Sequence, residues 1–199
     1  MAKPFEQGRV HAIEQLDLDA SDHVLIVGCG TGSDLDHLPA GVTVSAIDLV
    51  PAMVQRAANR TKKRDIDCDV QVGNAQALPY ETDTFDVVLL HLILSVVPDP
   101  TAVVTETARV LDADGRVSIF DKFLPGETPS LPRRLANPLA RVLFSDLTRR
   151  LDMILADAPL EITTQEWILG DLYTVALARP VTERERSLKR PQEPRPNRG

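Results

Sequence analysis

Cysteine is scarce in this chain: Cys29 and Cys68 are its only two in 199 residues. They follow neither metal-ligand nor disulfide spacing, which speaks against a sulfur-rich metal site and makes a reducing cytoplasm the expected compartment. Long apolar runs are absent too. No stretch approaches the ~18–20 residues that a membrane-spanning helix needs. The opening residues, Met1 to Glu6, carry no apolar signal core, so export is not expected. Positive charge is in deficit: the net charge is −7, and it is unevenly spread. From Arg179 to Gly199 there are seven Lys/Arg against three Glu, a surplus of four, so the remaining body stands at −11. That balance argues against nucleic acid as a partner of the folded part. Residues 180–199 hold Pro180, Pro191, Pro194 and Pro196 and almost nothing apolar, and read as a disordered basic tail.

What the chain does have is Val24-Leu25-Ile26-Val27-Gly28-Cys29-Gly30-Thr31-Gly32. An unbroken apolar run reads as a strand buried on both faces. The alternate glycines read as a turn whose backbone geometry a Cβ would obstruct. A strand entering such a turn builds a nucleotide-sized floor at the carboxyl edge of a parallel sheet. A dinucleotide fingerprint needs Gly-x-Gly-x-x-Gly, and Ser33 stands where its third glycine belongs. This disfavours a pyrophosphate cradle, and with it a nicotinamide-dependent oxidoreductase.

Downstream, apolar strands alternate with amphipathic segments. A helical stretch over 4–17 precedes strand 23–28, and a short helix is expected from Ser33. Val42 to Asp48 forms a second strand, and Pro51 opens a helix ending in Lys62-Lys63-Arg64. Strands are expected at 68–72, 85–90 and 116–121, with a helix from Asp99-Pro100 to 111. A helix over 146–158 follows. Strands 161–169 and 171–178 flank Gly170-Asp171, a hairpin signal. The alternation predicts a doubly wound, Rossmann-like α/β fold, mostly parallel, with an antiparallel last strand.

Two polar residues end strands on the side of the glycine turn. Asp48 can accept two hydrogen bonds from a ribose diol. Asn74, in Gly73-Asn74-Ala75, can accept from an adenine amino group. Together, Val24–Gly32, Ala46–Ala57, Gly73–Pro79, Phe85–Pro100 and Arg109–Asp121 resemble the class I S-adenosylmethionine-dependent methyltransferases. The branch resembled is the small-molecule one, which includes ubiquinone/menaquinone and phospholipid N-methyltransferase-like enzymes. The resemblance covers residues 22–121 in order and spacing. It implies a seven-stranded sheet, a catalytic domain over 1–179 and S-adenosylmethionine as cofactor.

The resemblance also implies roles by position. Gly28, Cys29, Gly30 and Gly32 pass under the methionine and ribose part of the cofactor, and Asp48 holds the ribose hydroxyls. Leu49 and Met53 line the adenine face, and Asn74, Ala75 and Gln76 serve its edge. His91 lies near the sulfonium and the incoming acceptor, as the candidate to orient the acceptor or take a proton. Two departures stand out. Ile26 replaces the acid usual two residues before the first glycine, which often helps bind the cofactor's ammonium group; Asp34 or Asp36 are the candidates to replace it. Asn74 stands where Asp is common. Cys29 has no paired base in sequence and reads as a small spacer beside the cofactor.

The expected activity is methyl transfer to a small-molecule or lipid-like acceptor. The alternative of another class is a non-catalytic cofactor-binding subunit. Residues 131–150 mix Arg133, Arg134, Arg141, Arg149 and Arg150 with large apolar residues. They read as a connecting segment with solvated arginines, or as a lid making peripheral contact with a membrane surface. Neither the methyl acceptor nor the oligomeric state is legible in the sequence.

Overall fold

The computed structural model describes residues 4–64, 66–123, 149–156, 158–168 and 172–181. The elements are α1 (Pro4–Glu14), β1 (His23–Val27), β2 (Thr43–Asp48), α2 (Pro51–Arg64), β3 (Cys68–Val72), β4 (Phe85–His91), α3 (Pro100–Val110), β5 (Leu111–Asp121), α4 (Leu151–Leu155), β6 (Leu160–Ile168) and β7 (Tyr173–Pro180). A 3-10 turn, Asp34–His37, takes the place of the helix expected from Ser33.

The seven strands form one sheet in the order β3-β2-β1-β4-β5-β7-β6. The pairings among β1 to β5 are parallel, whereas β7 is antiparallel to both neighbours, as the hairpin signal implied. The turn that joins β6 to β7 lies outside the described residues, as do residues 124–148 and 182–199, which hold most of the arginine-rich segment and the basic tail.

The period-two pattern divides the strand residues between two faces. Leu25, Val27, Val88 and Leu90 pack toward Val103 and Val104 of α3 and Ile154 of α4. Val24, Ile26, Val87 and Leu89 pack on the other face with Ile13 and Leu16 from the α1 segment and Ala57 of α2. Both faces are covered, which is why β1 and β4 could be written as continuous apolar runs.

The strand bounds fall within two residues of expectation except in β5. β5 begins at Leu111 rather than 116, because Leu111 already pairs with Phe85 and the register then jumps so that Arg116 pairs with Val87. The residues between bulge out, with the Asp114 amide donating to Asp112 Oδ1 (3.0 Å). The cap of α3 forms as read: Asp99 accepts from the Ala102 amide, with proline in the first turn. Replacing Asp99 with Ala should lower stability by about 1 kcal/mol, seen as a lower urea midpoint at unchanged slope.

Candidate functional site

Strand order reverses between β1 and β4, and a parallel sheet opens a crevice at the carboxyl ends of its strands at such a point. The loop after β1, the end of β2, the turn after β3 and the end of β4 all border that crevice. Gly28, Gly30 and Gly32 take φ of 71°, 54° and 78°, in the left-handed region. A Cβ on Gly32 would stand 3.3 Å from the backbone of Ala57, so the glycine lets the loop lie against α2. A Cβ on Gly30 would meet nothing within 4 Å, so the loop faces open space there.

Asp48 fixes this loop to the end of β2. Its Oδ2 accepts from the Gly30 amide (2.8 Å) and its Oδ1 from the Val50 amide (2.9 Å). The next two side chains, Leu49 and Val50, are 67% and 47% exposed, an apolar surface at the edge of the crevice. Across it, Asn74 Oδ1 accepts from the Gln76 amide (3.0 Å), so the Asn74 side chain shapes its own turn. Ala75 is buried, and Gln76 Oε1 accepts from the Asp99 amide (3.0 Å). From α3, Glu106 accepts from the Leu78 amide (2.8 Å) and Arg109 donates to the carbonyls of Tyr80 (2.8 Å) and Leu78 (3.0 Å). These bonds hold the 74–80 segment in place. Met53 is partly buried in the first turn of α2, four residues after Leu49.

Asp34 and His91 meet, but not as two groups open to a ligand. Asp34 is 2% exposed and Arg9 of α1 donates to both of its oxygens (2.7 and 2.6 Å). His91 Nδ1 lies 2.6 Å from Asp34 Oδ1, and His91 Nε2 lies 3.1 Å from Ser118 Oγ. Ser118 Oγ in turn donates to the Ala12 carbonyl (3.1 Å). Burial opposes a charge on Asp34, but His91 and Arg9 override it and hold its carboxyl well below the usual carboxylate range.

This arrangement alters two expectations. Asp34 was a candidate to replace the acid absent at Ile26, yet here both of its oxygens are committed to protein donors. His91 was the candidate proton acceptor. Its side chain has no exposed surface, with Nδ1 against Asp34 and Nε2 against Ser118, so it meets protein groups on both sides rather than the open crevice. Ile26 itself is buried among apolar neighbours. Asp36, the other candidate, pairs with Arg60 of α2 (2.7 Å). Arg9 was missed in the sequence. A lone arginine in a weakly amphipathic helix, twenty-five residues from its partner, leaves no local signal.

Cys29 is buried, and burial pushes its thiol up to about 12. That fits a spacer rather than a nucleophile. A hollow of about 390 Å³ opens beside the end of β4, bounded by Phe5, Arg9, Ser33, His37 and Leu92 among others. Leu92 holds a φ of 60°, uncommon for a bulky residue, and its amide donates to the Phe120 carbonyl (2.7 Å). Buried Asp121 accepts from the Ser95 and Lys122 amides (2.8 and 2.7 Å), which ties the segment after β4 to the end of β5. The described end of the arginine-rich segment is tied there too. Arg149 donates to the carbonyls of Leu94 and Val97, so it serves as an internal fastening and not as a solvated cation.

A methyltransferase-domain family matches residues 25–119. A phosphatidylethanolamine N-methyltransferase from Cereibacter sphaeroides is 31% identical over 156 residues, covering 76% of this chain and 76% of that protein. The chain belongs to the class I S-adenosylmethionine-dependent methyltransferases. A demethylmenaquinone methyltransferase from Tropheryma whipplei is 30% identical over 166 residues, covering 82% of this chain and 65% of its own length. A geranyl diphosphate methyltransferase solved with S-adenosylmethionine shares the fold at a TM-score of 0.75, with 18% identity over 88% of this chain and 85% of that one. The methyltransferase takes S-adenosylmethionine as its cofactor. The crevice fits that molecule: Asp48 is fixed at a strand end, Gly30 faces open space and Leu49 offers an apolar surface. No described helix of the methyltransferase is long and apolar enough to cross a membrane.

Two outcomes are expected. A folded carboxylate with a lowered pKa adds stability that is complete above the unfolded value of about 3.9 and is lost as the pH falls through its own lower value. Asp34→Asn should therefore cost about 3 kcal/mol near neutral pH, and the gap from wild type should narrow by pH 3 in urea titrations. Cys29 should resist a thiol-specific reagent at pH 8 until denaturant is added, as followed by mass spectrometry.

Proposed function

We propose that this methyltransferase moves the methyl group of S-adenosylmethionine onto a small, lipid-like acceptor seated in the hollow beside β4. The observation that supports this reading most is the Asp48 bridge. One carboxylate binds the Gly30 amide while its strand end faces the open side of the loop. Two relatives point to the acceptor class: one is named for phosphatidylethanolamine and the other for demethylmenaquinone.

The cofactor supplies a methyl group already activated on a sulfonium, so the protein's share is positioning and the exclusion of water. Asp48, partly exposed and with lone pairs beyond those used by the Gly30 and Val50 amides, would receive the ribose hydroxyls; Gly28 to Gly32 would pass beneath the methionine and ribose, and Leu49 and Met53 would cover the adenine face. Asn74, Ala75 and Gln76 would bound the adenine edge. The carbonyl oxygen of Asn74 retains a second lone pair beyond the one its turn uses. His91 is a positioning residue: it holds Asp34, and through it Arg9 and α1, against the end of β4. Two cysteines without a disulfide partner suit a reducing cytoplasm, where we place the enzyme.

The test is calorimetric titration with S-adenosylmethionine, S-adenosylhomocysteine and NADH. Transfer of labelled methyl to phosphatidylethanolamine, a quinol and a simple amine follows. Binding of the two sulfur nucleosides alone, with label on at least one acceptor, is expected. No heat with S-adenosylhomocysteine would overturn the reading. Asp48→Ala should weaken S-adenosylhomocysteine binding at least about tenfold, which is 1.4 kcal/mol. His91→Gln should lower turnover more than cofactor affinity.

A further inference from the structure

A second hollow, of about 610 Å³, lies against α2 and is lined by Thr31, Asp36, Arg56, Asn59, Arg60 and Lys63. It shares Asp36 and Arg60 with the hollow beside β4, so the two adjoin at that ion pair. Arg56, Asn59, Arg60 and Lys63 are three or four residues apart in succession, or neighbours in that row, and so share one face of α2. Pro51–Arg64 contains five Lys/Arg and no acidic residue, in a chain whose net charge is −7. The helix dipole accounts for cations in the last turn, but not for Arg56 in the middle of the helix. Arg60 is paired with Asp36. Among the described residues, neither Arg56 nor Lys63 has a carboxylate within ion-pair distance.

We infer that this hollow binds the phosphate group of a phosphorylated acceptor whose reactive part sits in the adjoining hollow. The inference rests on that hollow being the acceptor site. Three cations and one carboxylate line the basic hollow, leaving two positive charges in surplus. A phosphate monoester carries roughly −1.5 to −2 at neutral pH, which matches that surplus, whereas a carboxylate cancels half of it. Guanidinium forks suit phosphate oxygens, and the Thr31 hydroxyl and Asn59 amide add neutral donors. The site is concave and adjoins a second hollow, which suits one molecule reaching from one to the other and not a bilayer lying across it.

The test is an NMR titration of backbone amides 56–63 with hexyl phosphate and, as the phosphate-free match, hexanol. It uses the wild type and an Arg56→Gln/Lys63→Gln double variant. Both side chains are exposed, so the variant should fold. S-adenosylhomocysteine is titrated into the same samples. The expected result is saturable shifts with hexyl phosphate only, a dissociation constant at least tenfold weaker in the variant, and equal S-adenosylhomocysteine binding in both proteins. Equal binding of hexyl phosphate by both proteins, or shifts of the same size with hexanol, overturns the inference. So does flotation with phosphatidic acid vesicles that needs Arg56 and Lys63 while hexyl phosphate leaves the amides unmoved. Hexyl phosphate binding without S-adenosylhomocysteine binding upholds the anion site and removes the methyltransfer reading.

Discussion

A carboxylate cut off from water must be held by other charges, and Asp34 is in that position. Arg9 reaches it from α1, His91 from the end of β4, and Ser118 of β5 closes the chain back onto the Ala12 carbonyl. Elements far apart in sequence thus meet at one buried anion just after the glycine loop. Such a network is worth little as net stability against an apolar replacement, but losing one member leaves a charge stranded. Its value lies in geometry: α1 can sit over the crevice in one way, and the hollow bounded by Phe5 and Leu92 takes its shape from that seating.

The same economy holds the cofactor side. Asp48, Gln76, Glu106 and Arg109 each hydrogen-bond the backbone of a neighbouring segment, and Asn74 the backbone of its own turn. The crevice is therefore a set of fixed strand ends rather than a pocket carved between mobile side chains. That is suited to a reaction in which the donor arrives activated and alignment decides the rate.

The architecture could be read from the chain because β1 and β4 are uninterrupted apolar runs and because Gly28, Gly30 and Gly32 mark the turn. Asp48 could be read for the same reason, as a lone carboxylate ending a strand. The rest was hidden by distance. Nothing near Arg9 announces Asp34, and nothing in the His91 neighbourhood says that Ser118 will take its second nitrogen. The early start of β5 was obscured by Asp114-Gly115, which reads as a turn before a strand and proves to be a bulge within one. The short helix after Ser33 tightened to a 3-10 turn, with Pro39 a few residues on to end it.

The place of β7 has a consequence for how the molecule is made. β7 pairs with β5 on one side and β6 on the other, so β6 has no partner in the sheet until the strand that follows it is in place. A nascent chain that has emerged only as far as β6 presents the long flank of β5 as an open ladder. Insertion of the last strand is then a late, long-range closure of the kind that slows folding and invites mispairing between chains.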